Sequence, residues 1–330
     1  MSTELHHILK NEELVDQILT HLDSDEAGEL LKHDQIDSGR LKNTVEKLAE
    51  GLESDVGVQD EAIIRKYGRP VLYIQDNKIQ EPLLPLWKER LAGAHEQLER
   101  VIPSIGRVEL RGHPRYPWVG TGWLVAPRVI VTNRHVANIF GRNTAIGFQF
   151  RLDPIGRQIR ARIDFYEEFE RTHESEFQVK EILHIEEEEE GRPDIAFLRI
   201  ASRDQDDREL PLPVALSEHD PQPDQVVGAV GYAAWDGERN DRIVMDRIFE
   251  GVYEVKRLHP GEIMETHERF VNHDCSTLGG NSGSALLDFE TGTAVALHYA
   301  GRYENKNYAV KASTIREKLA ELNIDPEVGV

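Results

Sequence analysis

From Ile105 onward the chain is cut into short apolar runs, Val119 to Val125, Val129 to Val131, Ile195 to Ile200, Val226 to Val230 and Thr293 to Leu297, separated by Gly, Pro, Asp and Asn. Runs of this length bounded by turn residues read as strands. With no long helices between them they predict an antiparallel sandwich or barrel. Thr314-Ile315-Arg316-Glu317 has capping-box form, with Leu319 and Leu322 following on one face, so a terminal helix closes the domain.

The first part of the chain has another period. Leu5, Ile8, Leu9, Val15, Ile18, Leu19 and Leu22 recur at spacings of three and four, and Leu41, Val45, Leu48 and Leu52 repeat that spacing after the cap candidate Ser38. Residues 1–57 are therefore expected to form a small α-helical domain with a regulatory or interaction role. They are acidic, with 15 Asp and Glu among residues 1–60 against 5 Lys and Arg. Residues 58–103 read as a connecting strand and helix: Arg69 to Ile74 has strand character, and Trp87, Leu91, Ala94, Leu98 and Val101 mark one helix face ending before Pro103. Residues 104–330 form the second domain, and no repeat of fixed period is present.

Composition narrows the partners. The chain carries 39 Lys and Arg against 60 Asp and Glu, a formal charge of −21, which repels phosphate backbones and anionic membrane surfaces. Neither nucleic acid nor membrane is an expected partner. No apolar stretch approaches the roughly 18 residues of a membrane span, and the opening MSTELHHILKNEELVDQ lacks a signal-peptide core. The protein is expected to begin near Met1 and to stay in the cytoplasm. Cys275 is the only cysteine, which excludes an internal disulfide and a thiolate metal cluster, fits a reducing compartment, and reads as a buried strand residue. Glu186 to Glu190 reads as a solvated loop, because consecutive residues cannot all converge on one ion.

Three stretches combine reactive side chains with small residues: Thr132-Asn133-Arg134-His135-Val136, Pro193-Asp194-Ile195-Ala196-Phe197-Leu198 and Gly279-Gly280-Asn281-Ser282-Gly283-Ser284. Alone, each is a strand end, a cap or a turn. In this order they supply what serine-nucleophile hydrolysis needs: Ser282 as hydroxyl, His135 as base, and Asp194 as the carboxylate that holds the base in the useful tautomer. Glycines flanking the serine free the backbone N–H groups of Gly280 and Ser282 to form an oxyanion hole. The order His, Asp, Ser and the serine at position 284 exclude the Gly-x-Ser-x-Gly elbow of the α/β-hydrolases.

These motifs resemble the chymotrypsin-like (trypsin-like) serine peptidases, and specifically the bacterial branch that includes the glutamyl endopeptidases. Gly120 to Val125 followed by Val129 to His135 is similar to the strand pair that presents the family's histidine, Asp194 to Leu198 to its aspartate strand, and Cys275 to Ser284 to its nucleophile loop. The resemblance spans roughly residues 105 to 325. It implies a mostly β fold of two antiparallel six-stranded barrels with the site between them, a polypeptide substrate, and no metal or organic cofactor. Asn281 stands where the digestive members have the aspartate that receives a newly cut N-terminus, so activation by such a cut is not expected. Ser276, Thr277, His298 and Gly301 are the positions that the resemblance assigns to the substrate pocket. Ser276 offers a basic side chain no counter-charge, whereas Thr277 and His298 match positions that hold an acidic side chain in the glutamyl endopeptidases; a pocket for a small or apolar residue is the alternative.

The expected function is an intracellular serine endopeptidase working through an acyl-enzyme and restrained by its N-terminal helices, through which it can also bind a protein partner. The alternative is a protease-fold scaffold with little turnover that acts through such a partner.

Overall fold

The computed structural model describes residues 3–33, 35–238, 240–302 and 306–326, so the expected start at Met1 lies outside them. Five helices open the described chain: α1 (Thr3–Leu9), α2 (Glu12–Leu22), α3 (Asp25–His33), α4 (Ser38–Ala49) and α5 (Val58–Gly68). Asn11 starts α2 by accepting the Leu14 N–H at 3.0 Å. The cap of α4 is Asp37, whose carboxylate accepts the Arg40 N–H at 2.8 Å, and Ser38 is already helical. A carboxylate at a helix start satisfies the same orphan donor and also meets the positive end of the dipole.

Next come β1 (Leu72–Gln75), β2 (Lys78–Ile79), α6 (Pro85–Ala92) and α7 (His95–Val101). The apolar face from Trp87 to Val101 thus belongs to two helices, broken at Gly93, whose N–H closes the last turn of α6 onto Glu89 and Leu91. Leu86 and Trp87 of α6 share one core with Leu5, Ile8, Ile18, Leu41, Val45 and Ile64 of the preceding helices.

The remaining chain builds two barrels. β3 (Ile105–Arg111), β4 (Trp118–Ala126) and β5 (Val129–Thr132) lead to the short helix α8 (Arg134–Phe140) and the hairpin β6 (Gly141–Thr144) and β7 (Gly147–Phe150). After these come β8 (Arg160–Asp164), β9 (Glu176–Ile185) and β10 (Ala196–Ile200). The ring closes in the order β10, β5, β4, β3, β8, β9, all antiparallel. Its interior holds Val108, Leu124, Ile130, Phe140, Ile163 and Phe177. Each buried phenylalanine contributes about 2–3 kcal/mol relative to exposure.

The second barrel uses β11 (Val226–Tyr232), β12 (Lys256–Thr266), β13 (Phe270–His273), β14 (Ala285–Asp288), β15 (Ala294–Arg302) and β16 (Lys306–Lys311), with α9 (Arg242–Phe249) between β11 and β12 and α10 (Ala312–Glu321) at the end. Its order is β11, β14, β15, β16, β13, β12, and the β11–β12 pairing closes the ring. Two closed six-stranded antiparallel barrels are therefore present, as the resemblance implied. A seam core that includes Trp123, Val125, Phe197, Leu258, Leu297 and Ile315 joins them.

Some local readings differ. α10 begins at Ala312, two residues before the expected cap, and Thr314 is buried within it with its hydroxyl donating to the Arg269 carbonyl. Cys275 is buried as expected but follows β13 rather than lying in a strand. Glu186 is not solvated with the rest of its run: it is buried and pairs with Arg192 and Lys318, both at 2.9 Å. Among the described helices, none is long and apolar enough to cross a membrane.

The helical segment docks through both apolar and ionic contacts. Ala62 of α5 packs on Val244, Ile248 and Phe249 of α9, and β1 adds a strand to β12. Buried Arg69 joins the barrel carboxylates Asp274 (2.6 Å) and Glu262 (2.8 Å), while Arg65 bridges Glu4 (2.7 Å) and Glu61 (2.8 Å).

Candidate active site

β5 delivers the chain to Asn133, which caps α8, so His135 stands in the first turn of that helix and at the barrel seam. Asn133 is fully buried and its side-chain amide donates to the Asp194 carbonyl at 3.0 Å. Asp194 grips His135 twice. One carboxylate oxygen accepts the His135 backbone N–H at 3.1 Å and the other lies 2.7 Å from Nδ1. A carboxylate at that distance places the imidazole proton on Nδ1, which leaves the Nε2 lone pair to act as base. The His135 side chain is 44 % exposed and that of Asp194 13 %, so the imidazole is open to the cleft while the carboxylate that holds it is sheltered. The Tyr299 phenol, pushed up to about 12 by burial and then by the Asp194 charge, stays neutral beside it.

The loop that carries Ser282 needs its glycines. Gly280 and Gly283 have φ of +86° and +91°, and a Cβ on Gly283 would fall 1.9 Å from the Thr121 carbonyl oxygen. Thr121 fastens the loop to the first barrel: its N–H donates to Ser282 O at 2.8 Å and its hydroxyl to Gly280 O at 3.1 Å. Ala234 N–H holds Gly279 O at 2.6 Å and Ser284 N–H holds Asn281 O at 2.9 Å. In a trans peptide the C=O and the following N–H point in opposite directions, so these anchors turn the Gly280 and Ser282 N–H groups away from the loop body. Among the described residues neither N–H meets an acceptor, as an oxyanion hole requires. Asn281 is buried, with its oxygen accepting Leu278 N–H at 3.1 Å and its amide 3.3 Å from His259 Nε2.

A cleft of about 680 Å³ contains His135, Gly280 and Ser282 together with Ser276, Thr277, His298 and Gly301. Of the site residues singled out from the sequence, all but Asp194 line this one cavity, and Asp194 stands behind it, bonded to His135. Their side chains are not equivalent. The Ser276 hydroxyl donates to the Arg69 carbonyl at 2.9 Å, whereas Thr277 donates to Asn307 Oδ1 at 2.7 Å. His298 is buried with Nδ1 3.0 Å from His273 Nε2. Burial, followed by the neighbouring imidazoles His273, His259 and His135, drives its pKa well below the ordinary range and holds it neutral. Glu4, Arg65 and Asn307 line the same cleft and were not visible from the sequence, because α1, α5 and β16 meet only in three dimensions.

Two clusters among the described residues have carboxylates close enough to share a cation, Glu109 with Asp164 and Glu167, and Glu262 with Asp274 beside His7. A guanidinium already sits in each: Arg107 contacts Glu109 (2.6 Å) and Glu167 (2.7 Å), and Arg69 joins Glu262 and Asp274. None of the residues of either cluster lines the cleft.

Comparison with known proteins adds three likenesses. A family model described as a trypsin-like peptidase domain matches residues 120–297. A protein of Lysobacter enzymogenes named a probable serine protease is 27 % identical over 314 residues, which cover 85 % of this chain and 80 % of that one. The crystal structure of the serine endoprotease from Yersinia pestis aligns over 69 % of this chain with 18 % identity and a TM-score of 0.46, and the chain spans 65 % of that structure's length.

Proposed function

The chain belongs to the trypsin-like peptidase family and is a serine endopeptidase, and we propose that His135, Asp194 and Ser282 are its triad, acting inside the cell. Ser282 Oγ attacks the scissile carbonyl while His135 Nε2 takes the hydroxyl proton. The carbonyl oxygen, now an anion, is received by the Gly280 and Ser282 N–H groups, each worth about 3–4 kcal/mol in comparable sites. The C–N bond then breaks and His135 returns the proton to the amine. In the second half, His135 takes a proton from water, the resulting hydroxide attacks the acyl-enzyme, and Ser282 leaves with the proton.

The observation that carries this reading is the double attachment of Asp194 to His135 in the cleft that also holds Ser282. Ser276, Thr277, His298 and Gly301 form the walls for the side chain on the acyl side of the cut bond. Residues 1–57, docked against the second barrel, serve as the regulator and as the surface for a protein partner. A fluorophosphonate probe and a peptide substrate test the triad together: the wild type labels and cleaves, and Ser282→Ala does neither. Cleavage retained by Ser282→Ala refutes the assignment.

A further inference from the structure

The inner end of the cleft is closed by residues from the N-terminal helices. Glu4 of α1 and Arg65 of α5 line it, joined by a 2.7 Å ion pair with both side chains under one-tenth exposed. Glu4 Oε1 lies 3.5 Å from Asn307 Nδ2, and the same amide nitrogen donates to Cys275 O at 2.8 Å. Two acceptors therefore face one end of the Asn307 amide. Turning it over would set its oxygen against a carbonyl and a carboxylate, so the orientation is fixed. Asn307 Oδ1 consequently faces Thr277 and takes the hydroxyl proton at 2.7 Å. The donor of Thr277 is thereby used, and its lone pairs are what it can offer a substrate.

The opposite polarity comes from His298. Its Nδ1 shares one proton with His273 Nε2, and His273 Nδ1 is buried without a partner. Buried N–H groups are left without an acceptor more rarely than buried acceptors are left without a donor. The proton between the rings thus belongs to His273 Nε2, which leaves the proton of neutral His298 on Nε2, the nitrogen that His273 does not engage.

We propose that the pocket is built for a neutral carboxamide side chain, Gln or Asn, on the acyl side of the cut bond, and that Glu4 is a positioning residue which sets this polarity through Asn307. A carboxamide gives its NH₂ to Thr277 and takes the N–H of His298 on its oxygen. A carboxylate has no proton for Thr277, whose own hydroxyl proton is already given to Asn307, so it is excluded. This departs from the acidic side chain that the family resemblance implies. It rests on the pocket assignment made under the proposed function.

The test uses the full chain and a peptide series that varies only the residue on the acyl side. The expected wild-type result is a kcat/KM for Gln at least about tenfold above Glu at neutral pH, the margin that a mismatched buried hydrogen bond produces. Asn307→Leu frees the Thr277 hydroxyl to donate, and Glu4→Gln weakens the lock on the amide. In both, the Gln-to-Glu ratio should shrink toward unity even where overall rates fall, since a merely structural defect lowers every substrate alike. Thr277→Val, which keeps shape and removes the acceptor, should collapse the ratio if the other variants do not fold. Preference for Glu, Asp, a basic or an apolar residue overturns the inference, and an unchanged ratio in Glu4→Gln overturns the role of Glu4. Fluorophosphonate labelling of the wild type separates this failure from failure of the triad assignment.

Discussion

The side-chain amide of Asn133 donates to the backbone carbonyl of Asp194 at 3.0 Å, so the residue two positions before the histidine anchors the residue that orients it. Thr132 ends a strand of the first barrel and Asp194 precedes the neighbouring strand, paired Ala196 to Thr132. The contact therefore fixes two strand ends to each other directly beneath the imidazole. A small residue at position 133 would leave that carbonyl unpaired.

Asn133→Ala should cost about 1–3 kcal/mol, the price of one buried carbonyl left without a donor. It should also lower kcat more than it raises KM, because the imidazole loses definition while the pocket is untouched. Thermal unfolding and steady-state kinetics read the two effects. A rise in KM alone argues against the anchoring role.

Gly283→Ala should abolish fluorophosphonate labelling, since the added methyl meets the Thr121 carbonyl at 1.9 Å and Thr121 holds the nucleophile loop. Gly147→Ala provides the comparison: its φ of +99° is equally foreign to alanine, but nothing lies within 4 Å. That variant should lose only about 1–2 kcal/mol of stability and keep labelling. Equal behaviour of the two would show that strain, not collision, governs the loop.

Stability should fall as pH drops from about 6.5 toward 4. His259 is pushed down to about 3 and His273 to about 4, each by burial first, and His298 is depressed by the same cause. In the unfolded chain these imidazoles take up protons near 6.5, whereas the folded protein refuses them until well below that. The unfolded state thus binds more protons in this window, and each group removes up to about 1.4 kcal/mol per pH unit. Glu4, held above the usual carboxylate range by burial, acts in the opposite sense at the lower end. Urea midpoints at pH 7.5, 6 and 5 should decrease in order, with a shallower slope in His259→Gln. A midpoint that is flat or rises toward pH 5 contradicts the assignment.

Arg69→Met should be among the most damaging single changes outside the loop that carries Ser282. It leaves Asp274 buried without a guanidinium and Glu262 with only that of Arg90 at 2.8 Å, a loss of about 3–5 kcal/mol. Removing Arg242 from its exposed pair with Asp246 should cost no more than about 0.5 kcal/mol. Denaturation of both variants decides it, and equal losses would mean that the Arg69 network carries little of the docking between helices and barrel.

Much of the molecule was legible because its signals are local. The block from Cys275 to Ser284 needs its glycines where the loop turns left-handed, and the runs around Val129 and Ala196 became the strands that bring His135 and Asp194 together. Helix ends were less legible. Asp37 and Ser38 are both good caps, and the choice fell to the one whose carboxylate reaches Arg40. A period of three and four persists through Trp87, Leu91, Ala94 and Leu98, yet Gly93 divides it, since a helix can end and restart without breaking the apolar face. Glu186 read as one of five solvated glutamates because its partner Lys318 lies 132 positions along the chain.

The order of His135, Asp194 and Ser282, the barrel texture and the helical beginning were determined by the sequence itself, since each depends on neighbours within a few residues. The inner end of the cleft was decided only by the tertiary structure. Glu4 meets Asn307 across 303 positions, and the Asn307 amide is turned by a carboxylate and a carbonyl that no periodicity brings near it. Hydrogen-bond polarity in a buried pocket is a property of which groups converge there. A linear chain does not carry that information until packing has removed the water that would otherwise satisfy each group separately.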